Sequence, residues 1–312
     1  MNPQAPSGRS DAPPVVLVTG ATTGIGLATL QTLRTRRFRV IATARGRSID
    51  RFHELGIHED DSLRIRPLDV TDAVQAAALF DEIEGMWDGV DMLVNNAGVS
   101  YRAVLEHMRT EDERRQFDVN YFGPMMLIRH AIPHMRQQRF GRIVNISSVG
   151  GMMAMPTMSI YSASKFALEG ASEGLYYELR PWNIRVTLVQ PGFVRSDGFE
   201  KVKLTIESRR SWECPSGAYH PHYEHMSTFI ARLMRMAIAT PDSIAKKIVN
   251  VLESKNPPLR TPGAIDASLF SLLRRVLPRS LYHRILYRSL PGVSTWGKEN
   301  WSLNDPPPPQ AS

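Results

Sequence analysis

Tyr161 and Lys165 stand four residues apart in Tyr-Ser-Ala-Ser-Lys, inside an apolar, small-residue run. An α-helix turns once in about 3.6 residues, so both heads project from one face and can reach one pocket. A free phenol titrates at about 10, and a cationic amine held beside it favours the phenolate and lowers that value. Tyr161 is therefore a candidate acid–base group. The same spacing also arises on ordinary solvated helix faces, so the assignment depends on its company: a glycine-rich turn at 20–26, Asn95-Asn96-Ala97-Gly98, and the pair Ser147-Ser148.

The glycine turn follows the apolar run 15–18 and precedes periodic apolar residues that resume at Ile25 and Leu27, which reads as strand, turn and helix. It runs Thr19-Gly20-Ala21-Thr22-Thr23-Gly24-Ile25-Gly26. Glycines let the chain turn sharply and let a diphosphate approach the amides at the helix N-terminus, whose dipole favours negative charge. The spacing is Gly-x-x-x-Gly-x-Gly, so the Gly-x-Gly-x-x-Gly fingerprint of many dinucleotide sites is not met. A plain turn is the alternative reading.

A second strand at 38–43 is followed by Arg45, with Arg47 as a helper and no acid before Asp50. An acid at this place takes the ribose hydroxyls of NAD, whereas arginine pairs with the 2′-phosphate of NADP, so the cofactor expectation favours NADP(H) with NAD(H) left open. Arg45 as a solvated strand-end residue is the plainer reading. The stretch 63–68 alternates apolar and basic residues before Asp69-Val70, and Thr71 or Asp72 supplies an N-cap for a helix running to about Ile83. Asp69 lies where ligands bind in open α/β sheets, or it forms a turn. A fourth strand at 90–94 runs into the amide pair, and Asn120 sits among apolar neighbours, where a buried amide needs partners. Strands at 141–146 and 184–189 end at Ser147-Ser148 and Pro191-Gly192. Strand and helix alternate throughout, which predicts an α/β, doubly wound parallel sheet flanked by helices.

The bulk numbers fit that expectation. A chain of 312 residues suffices for one large α/β domain with extensions. Cys214 is the only cysteine, which excludes an intrachain disulfide and a cysteine metal site and fits a reducing, cytoplasmic compartment. The formal charge of +7 suits an anionic partner or a solvated basic surface, but no nucleic-acid signature is present. Residues 1–13 and 302–312 are polar or proline-rich and read as disordered tails, and no apolar run approaches the roughly 20 residues of a transmembrane helix.

Taken together, TGATTGIG at 19–26, NNAG at 95–98, Asn120, the serine pair and YSASK at 161–165 resemble the compact single-domain branch of the short-chain dehydrogenase/reductase superfamily. The resemblance covers roughly residues 14–200 and implies a Rossmann-like sheet. It implies Tyr161 as catalytic acid–base, Lys165 as the group that lowers its pKa and holds the nicotinamide ribose, Asn120 as the holder of a relay water, and Ser148, thirteen residues before the tyrosine, as catalytic serine. It further implies cofactor contacts from Gly20, Thr22, Thr23, Gly24, Ile25 and Gly26, from Asp69 and Val70 at the adenine, and from Asn95, Ala97 and Gly98 beside the adenosine ribose. Pro191, Gly192, Val194 and Ser196 resemble the segment at the nicotinamide carboxamide, with serine standing where the family has threonine. Within the superfamily, SVGGMMAMP at 148–156, YSASKFALEG at 161–170 and Arg45 look most like the 17β-hydroxysteroid dehydrogenase and retinol dehydrogenase group.

Residues 197–240 form a long insertion carrying Phe199, Trp212, Tyr223, Met226, Met234 and Met236. Such residues suit a helical lid over an apolar ligand, or a packed helical hairpin. His220, His222 and His225 lack acidic or cysteine neighbours at fitted spacing, so no metal is expected. A last strand near 259–260 closes a catalytic domain spanning 14–262. Beyond it, 263–301 is a basic amphipathic extension, with seven positive charges from Arg260 to Lys298 against Asp266 alone. It either lies peripherally on an anionic membrane or docks on the domain or on a partner subunit of a homo-oligomer. The resulting expectation is an NADP(H)-preferring oxidoreductase that interconverts an alcohol and its carbonyl on a small apolar steroid-, retinoid- or lipid-like substrate. The alternative is an NADP-binding sensor or scaffold without turnover.

Overall fold

A parallel strand covered on both faces reads as a continuous apolar run, and β1 (Val15–Val18) is buried along its whole length. In the computed structural model, which describes residues 12–195 and 202–297, β1 sits at the centre of a seven-stranded sheet. Its partners are β2 (Arg39–Ala44) on one side and β4 (Met92–Asn95) on the other, both parallel. Beyond them come β3 (Leu63–Pro67), β6 (Gly141–Ile146), β7 (Ile184–Gln190) and β9 (Arg260–Pro262), in the order β3-β2-β1-β4-β6-β7-β9. The chain leaves β1 toward β2 and β3, then returns to β4 on the other side. That reversal opens a crevice above the carboxyl ends of β1 and β4, where open α/β sheets bind ligands.

Alternate residues of β1 feed two cores. Val16 and Val18 pack with Leu30 and Leu33 of α1 (Gly24–Arg34) and with Ile244, Ile248 and Leu252 of α9 (Pro241–Glu253). Val15 and Leu17 pack with Leu79 and Ile83 of α3 (Ala73–Trp87), Leu127 and Ile128 of α5 (Gly123–Gln137), and Leu168 of α6 (Ser159–Leu179). Each such side chain removed from water contributes about 1.5–3 kcal/mol, which fixes the helices against the sheet. Of the two caps offered by the sequence, Asp72 starts α3 by accepting from the amides of Val74 and Gln75. Between α4 (Thr110–Phe117) and α5 the backbone widens into a π-helical turn, Asp118–Phe122.

The insertion holds β8 (Lys203–Leu204), α7 (Ile206–Glu213) and α8 (His220–Met236). β8 pairs in parallel with β5 (Tyr101–Arg102), just beyond the asparagine segment. Tyr223 of α8 is fully buried; its hydroxyl accepts from the Val104 amide at 3.0 Å and lies 2.9 Å from His107 Nδ1. Arg102 donates to Ser227 Oγ at 3.0 Å. The insertion is thus anchored to the β5 segment by buried polar bonds.

The extension forms α10 (Ile265–Val276) and α11 (Arg279–Ser289). It docks on the domain: Arg274 stands 5.1 Å over the Phe166 ring, and Trp296 stacks on His222 at 4.3 Å while donating to His225 Nδ1. Leu269, Leu272, Val276 and Ile285 remain exposed on these two helices. Among the described residues no helix is long and apolar enough to cross a membrane. The tail expected at 302–312 lies outside the described residues, as do residues 1–11 of the N-terminal one.

Candidate active site

The turn after β1 owes its path to two close approaches. Gly20 adopts a φ of +65°, and a Cβ there would lie 3.1 Å from Ala97 Cα. A Cβ on Gly26 would run into the Gly20 carbonyl oxygen and Asn96 Nδ2. Thr19 Oγ1 accepts from the amides of Asn96 and Ala97, each at 3.0 Å, while Asn96 Nδ2 donates to the carbonyls of Thr19 and Gly20 at 2.9 and 3.1 Å. The ends of β1 and β4 are stitched together by this exchange. No side chain caps the start of α1 and its first turn holds no acid, so its leading amides present the positive end of the helix dipole.

A cleft of about 940 Å³ runs along this seam. Gly20, Thr22, Thr23, Gly24 and Ile25 line it, as do Val70, Ala97, Gly98, Pro191, Gly192 and Val194. Arg45 opens one end together with Ser48 and Arg51, two residues that the sequence did not single out. Arg47 is not part of the lining. Ser148, Tyr161 and Lys165 stand at the other end, with Phe193, Val202 and Met234 nearby. Guanidinium groups, then uncapped helix amides against glycine, then convergent polar heads form a donor series suited to a phosphorylated dinucleotide.

At that end, Lys165 is buried and its Nζ donates to the Ile146 carbonyl at 2.8 Å. Ser148 Oγ accepts from the Gly150 amide at 3.0 Å. A Cβ on Gly150 would lie 2.9 Å from Tyr161 Cε1, so the ring rests directly on the loop after Ser148. The three heads therefore converge. The expected lowering of the Tyr161 pKa is not what this packing gives: burial pushes the phenol up, with the Ser148 hydroxyl opposing. Burial likewise pushes Lys165 down to about 8, with the Glu169 carboxylate opposing. Both groups share a site where the charged form loses solvation.

Four expected contacts lie outside the cleft lining, and Gly26, packed against the Gly20 carbonyl, is the first. Asn120, on the π-helical turn, is buried behind the cleft wall: Oδ1 accepts from Val99 N, and Nδ2 donates to Val99 O and Ser164 Oγ, at 2.9, 2.9 and 3.0 Å. Both amide hydrogens are engaged by protein, so its side chain acts as a clamp between the asparagine segment and α6. Asn95 faces the core, donating to Asn145 Oδ1 at 2.8 Å; its neighbour Asn96 is the one that borders the cleft. Asp69 is held by Thr71 N and Oγ1 at 3.0 and 2.7 Å and by Arg115 at 3.5 Å, with Arg45 at 3.9 Å. Burial opposes its ionisation, but those bonds and charges hold its carboxyl below the ordinary value. Asp69 thus serves as a knot outside the cleft lining, while Val70 borders it. Ser196 lies outside the described residues. Among these, no group of three or more His, Cys, Asp or Glu residues is placed to hold a metal ion, and His220 instead lies 2.8 Å from the Trp212 carbonyl.

The family model described as short chain dehydrogenase matches residues 14–207. A 3-ketodihydrosphingosine reductase of Bacteroides thetaiotaomicron is 33% identical over 279 residues, covering 88% of this chain and 98% of its own. Human retinol dehydrogenase 8 is 33% identical over 288 residues, covering 89% and 91%. Among solved structures, a metagenomic short-chain oxidoreductase in complex with NADP superposes with a TM-score of 0.61 at 26% identity, covering 81% of this chain and 98% of its own.

Proposed function

The chain belongs to the short-chain dehydrogenase family and is an alcohol/carbonyl oxidoreductase, and from that premise we propose that it prefers NADP(H) and acts on a long apolar substrate of lipid, retinoid or steroid character. The observation that carries this reading is the convergence of Ser148, Tyr161 and Lys165 on one end of a cleft whose other end is lined by Arg45 and Arg51.

NADPH, when bound, supplies the hydride. The Ser148 and Tyr161 hydroxyls donate to the substrate oxygen, where negative charge builds as the carbonyl is reduced. Tyr161 passes its proton to that oxygen; in the oxidising direction it takes the proton back. Such positioned proton transfer contributes about 10²–10⁴-fold. The Lys165 ammonium would favour the phenolate left behind. Arg45 would hold the 2′-phosphate by charge and hydrogen bonding. Phe193, Val202 and Met234 give the substrate end an apolar wall, and two relatives are named for carbonyl or alcohol chemistry on long apolar molecules.

Leu269, Leu272, Val276 and Ile285 are exposed on α10 and α11, as are Arg275, Arg284 and Arg288. That combination supports peripheral attachment to an anionic bilayer, from which an apolar substrate partitions toward the cleft. The test of the catalytic reading is NADPH consumption over a panel of long-chain ketones, retinals and ketosteroids, with Tyr161→Phe as the control.

A further inference from the structure

Glu169 is a carboxylate buried in α6, one helical turn beyond Lys165, and the reaction above makes no use of it. Its Oε1 accepts from Gln190 Nε2 at 2.9 Å, at the carboxyl end of β7. Its Oε2 accepts from Arg260 Nε at 3.0 Å, on β9, and Arg260 Nη2 continues to Glu173 Oε2 at 2.6 Å. From above, Gly151 presses on it: a Cβ there would lie 3.1 Å from Glu169 Cγ and 2.7 Å from Ser147 Oγ. The carboxylate is therefore gripped by the loop that carries Ser148, by the strand that precedes Pro191-Gly192, and by β9.

A buried charge without partners is costly, and the fold keeps two of opposite sign on adjacent turns of one helix. Lys165 and Glu173 flank Glu169 on α6, and Arg260 faces it from β9. Neutral Gln190 and Gly151 complete its surroundings. Gln190 and Arg260 occupy its two oxygens, so the interaction with Lys165 is one of charge rather than of a shared hydrogen bond.

We propose that Glu169, fixed by Arg260 and Gln190, is a positioning residue whose charge keeps Lys165 protonated at neutral pH. This rests on the reading that the Lys165 ammonium supports Tyr161. β9, the strand that leads into the C-terminal extension, thereby influences the charge state of the active-site lysine. Burial alone drives Lys165 toward the neutral amine, and Glu169 is the group that opposes it.

The chain holds seven lysines, so selective ¹³Cε labelling resolves the Lys165 signal, assigned by its loss in Lys165→Met. Titration of the protein without dinucleotide or substrate should place the Lys165 midpoint near 8 in the wild type. In Glu169→Gln the midpoint should fall by about 1 unit or more, the effect of an opposite charge within reach. Glu169→Asp, which keeps the charge but withdraws it by one methylene, should fall by about 0.3–0.5 unit. It carries the test by itself if Glu169→Gln does not fold. A purely structural role lowers the melting temperature and leaves the midpoint in place. An unchanged midpoint in Glu169→Gln, or in Glu169→Asp when that is the only folded variant, overturns the proposal. The titration stands whether or not any carbonyl is turned over; where turnover is seen, the alkaline limb of kcat/KM should move by the same amount.

Discussion

Replacing Arg45 with Asp reveals which dinucleotide the cleft takes. Arg45 follows the end of β2, borders the cleft, and stands 3.9 Å from Asp69 with 44% of its side chain exposed, so it acts as a partly solvated charge. A charged hydrogen-bonded pair with phosphate contributes about 1.5–3 kcal/mol, and its loss alone weakens NADPH binding by about 10–150-fold. The new carboxylate adds repulsion toward a 2′-phosphate. It also accepts from ribose hydroxyls, so NADH binding should hold or improve. The surroundings should survive, because Asp69 keeps Arg115 at 3.5 Å and its two bonds from Thr71. Fluorescence titration with both dinucleotides, at low and at physiological salt, reads the change directly. A ratio of NADPH to NADH affinity that stays within about threefold of the wild type refutes the role of Arg45. It would move phosphate recognition to Arg51 and Ser48.

Two further outcomes follow from other regions. Asp91 accepts from the Val15 amide and from Gln138 Nε2, each at 2.7 Å, and lies 3.5 Å from His134 Nε2; burial opposes its ionisation, but these partners hold its carboxyl below the ordinary 3.8. A lowered folded value means that the stabilisation is complete above the unfolded pKa and is lost as pH falls through the folded one. Asp91→Asn should therefore cost about 1–3 kcal/mol in denaturant melts at pH 7, and the gap should narrow below about pH 4. On the membrane side, the protein should cosediment with phosphatidylglycerol vesicles at low salt but not with phosphatidylcholine vesicles, each arginine contributing about 1 kcal/mol. Changing Arg275, Arg284 and Arg288 to Glu should abolish that binding, and equal binding to both vesicle types contradicts it.

How much of this was legible in the sequence depended on whether a residue's partners are local. Tyr161 and Lys165 share a helix, so spacing alone placed both heads on one face, and the apolar runs gave the strands because both sheet faces are covered. Asn95 and Asn96 show the limit. Adjacent amides at a strand end point to opposite sides, and which one meets the ligand depends on Thr19 and Asn145, distant in sequence. For Asp69 the sequence left ligand contact and turn former open; the local bonds from Thr71 make the turn, while its partner Arg115 arrives from α4. Glu169 looks like a solvated helix residue until Arg260, 91 positions later, is brought beside it by β9. The pKa expectation for Tyr161 missed the desolvation of its hydroxyl, which no spacing rule reports.

Turnover by Tyr161→Phe against the wild type addresses the proposed chemistry most directly. The wild type should oxidise NADPH with at least one long-chain ketone, retinal or ketosteroid. The variant, which keeps the ring on Gly150 but loses the proton, should lose at least about 100-fold in kcat while its NADPH affinity stays within about threefold. A variant that retains more than about a tenth of the wild-type kcat contradicts the assignment of Tyr161 as the proton donor.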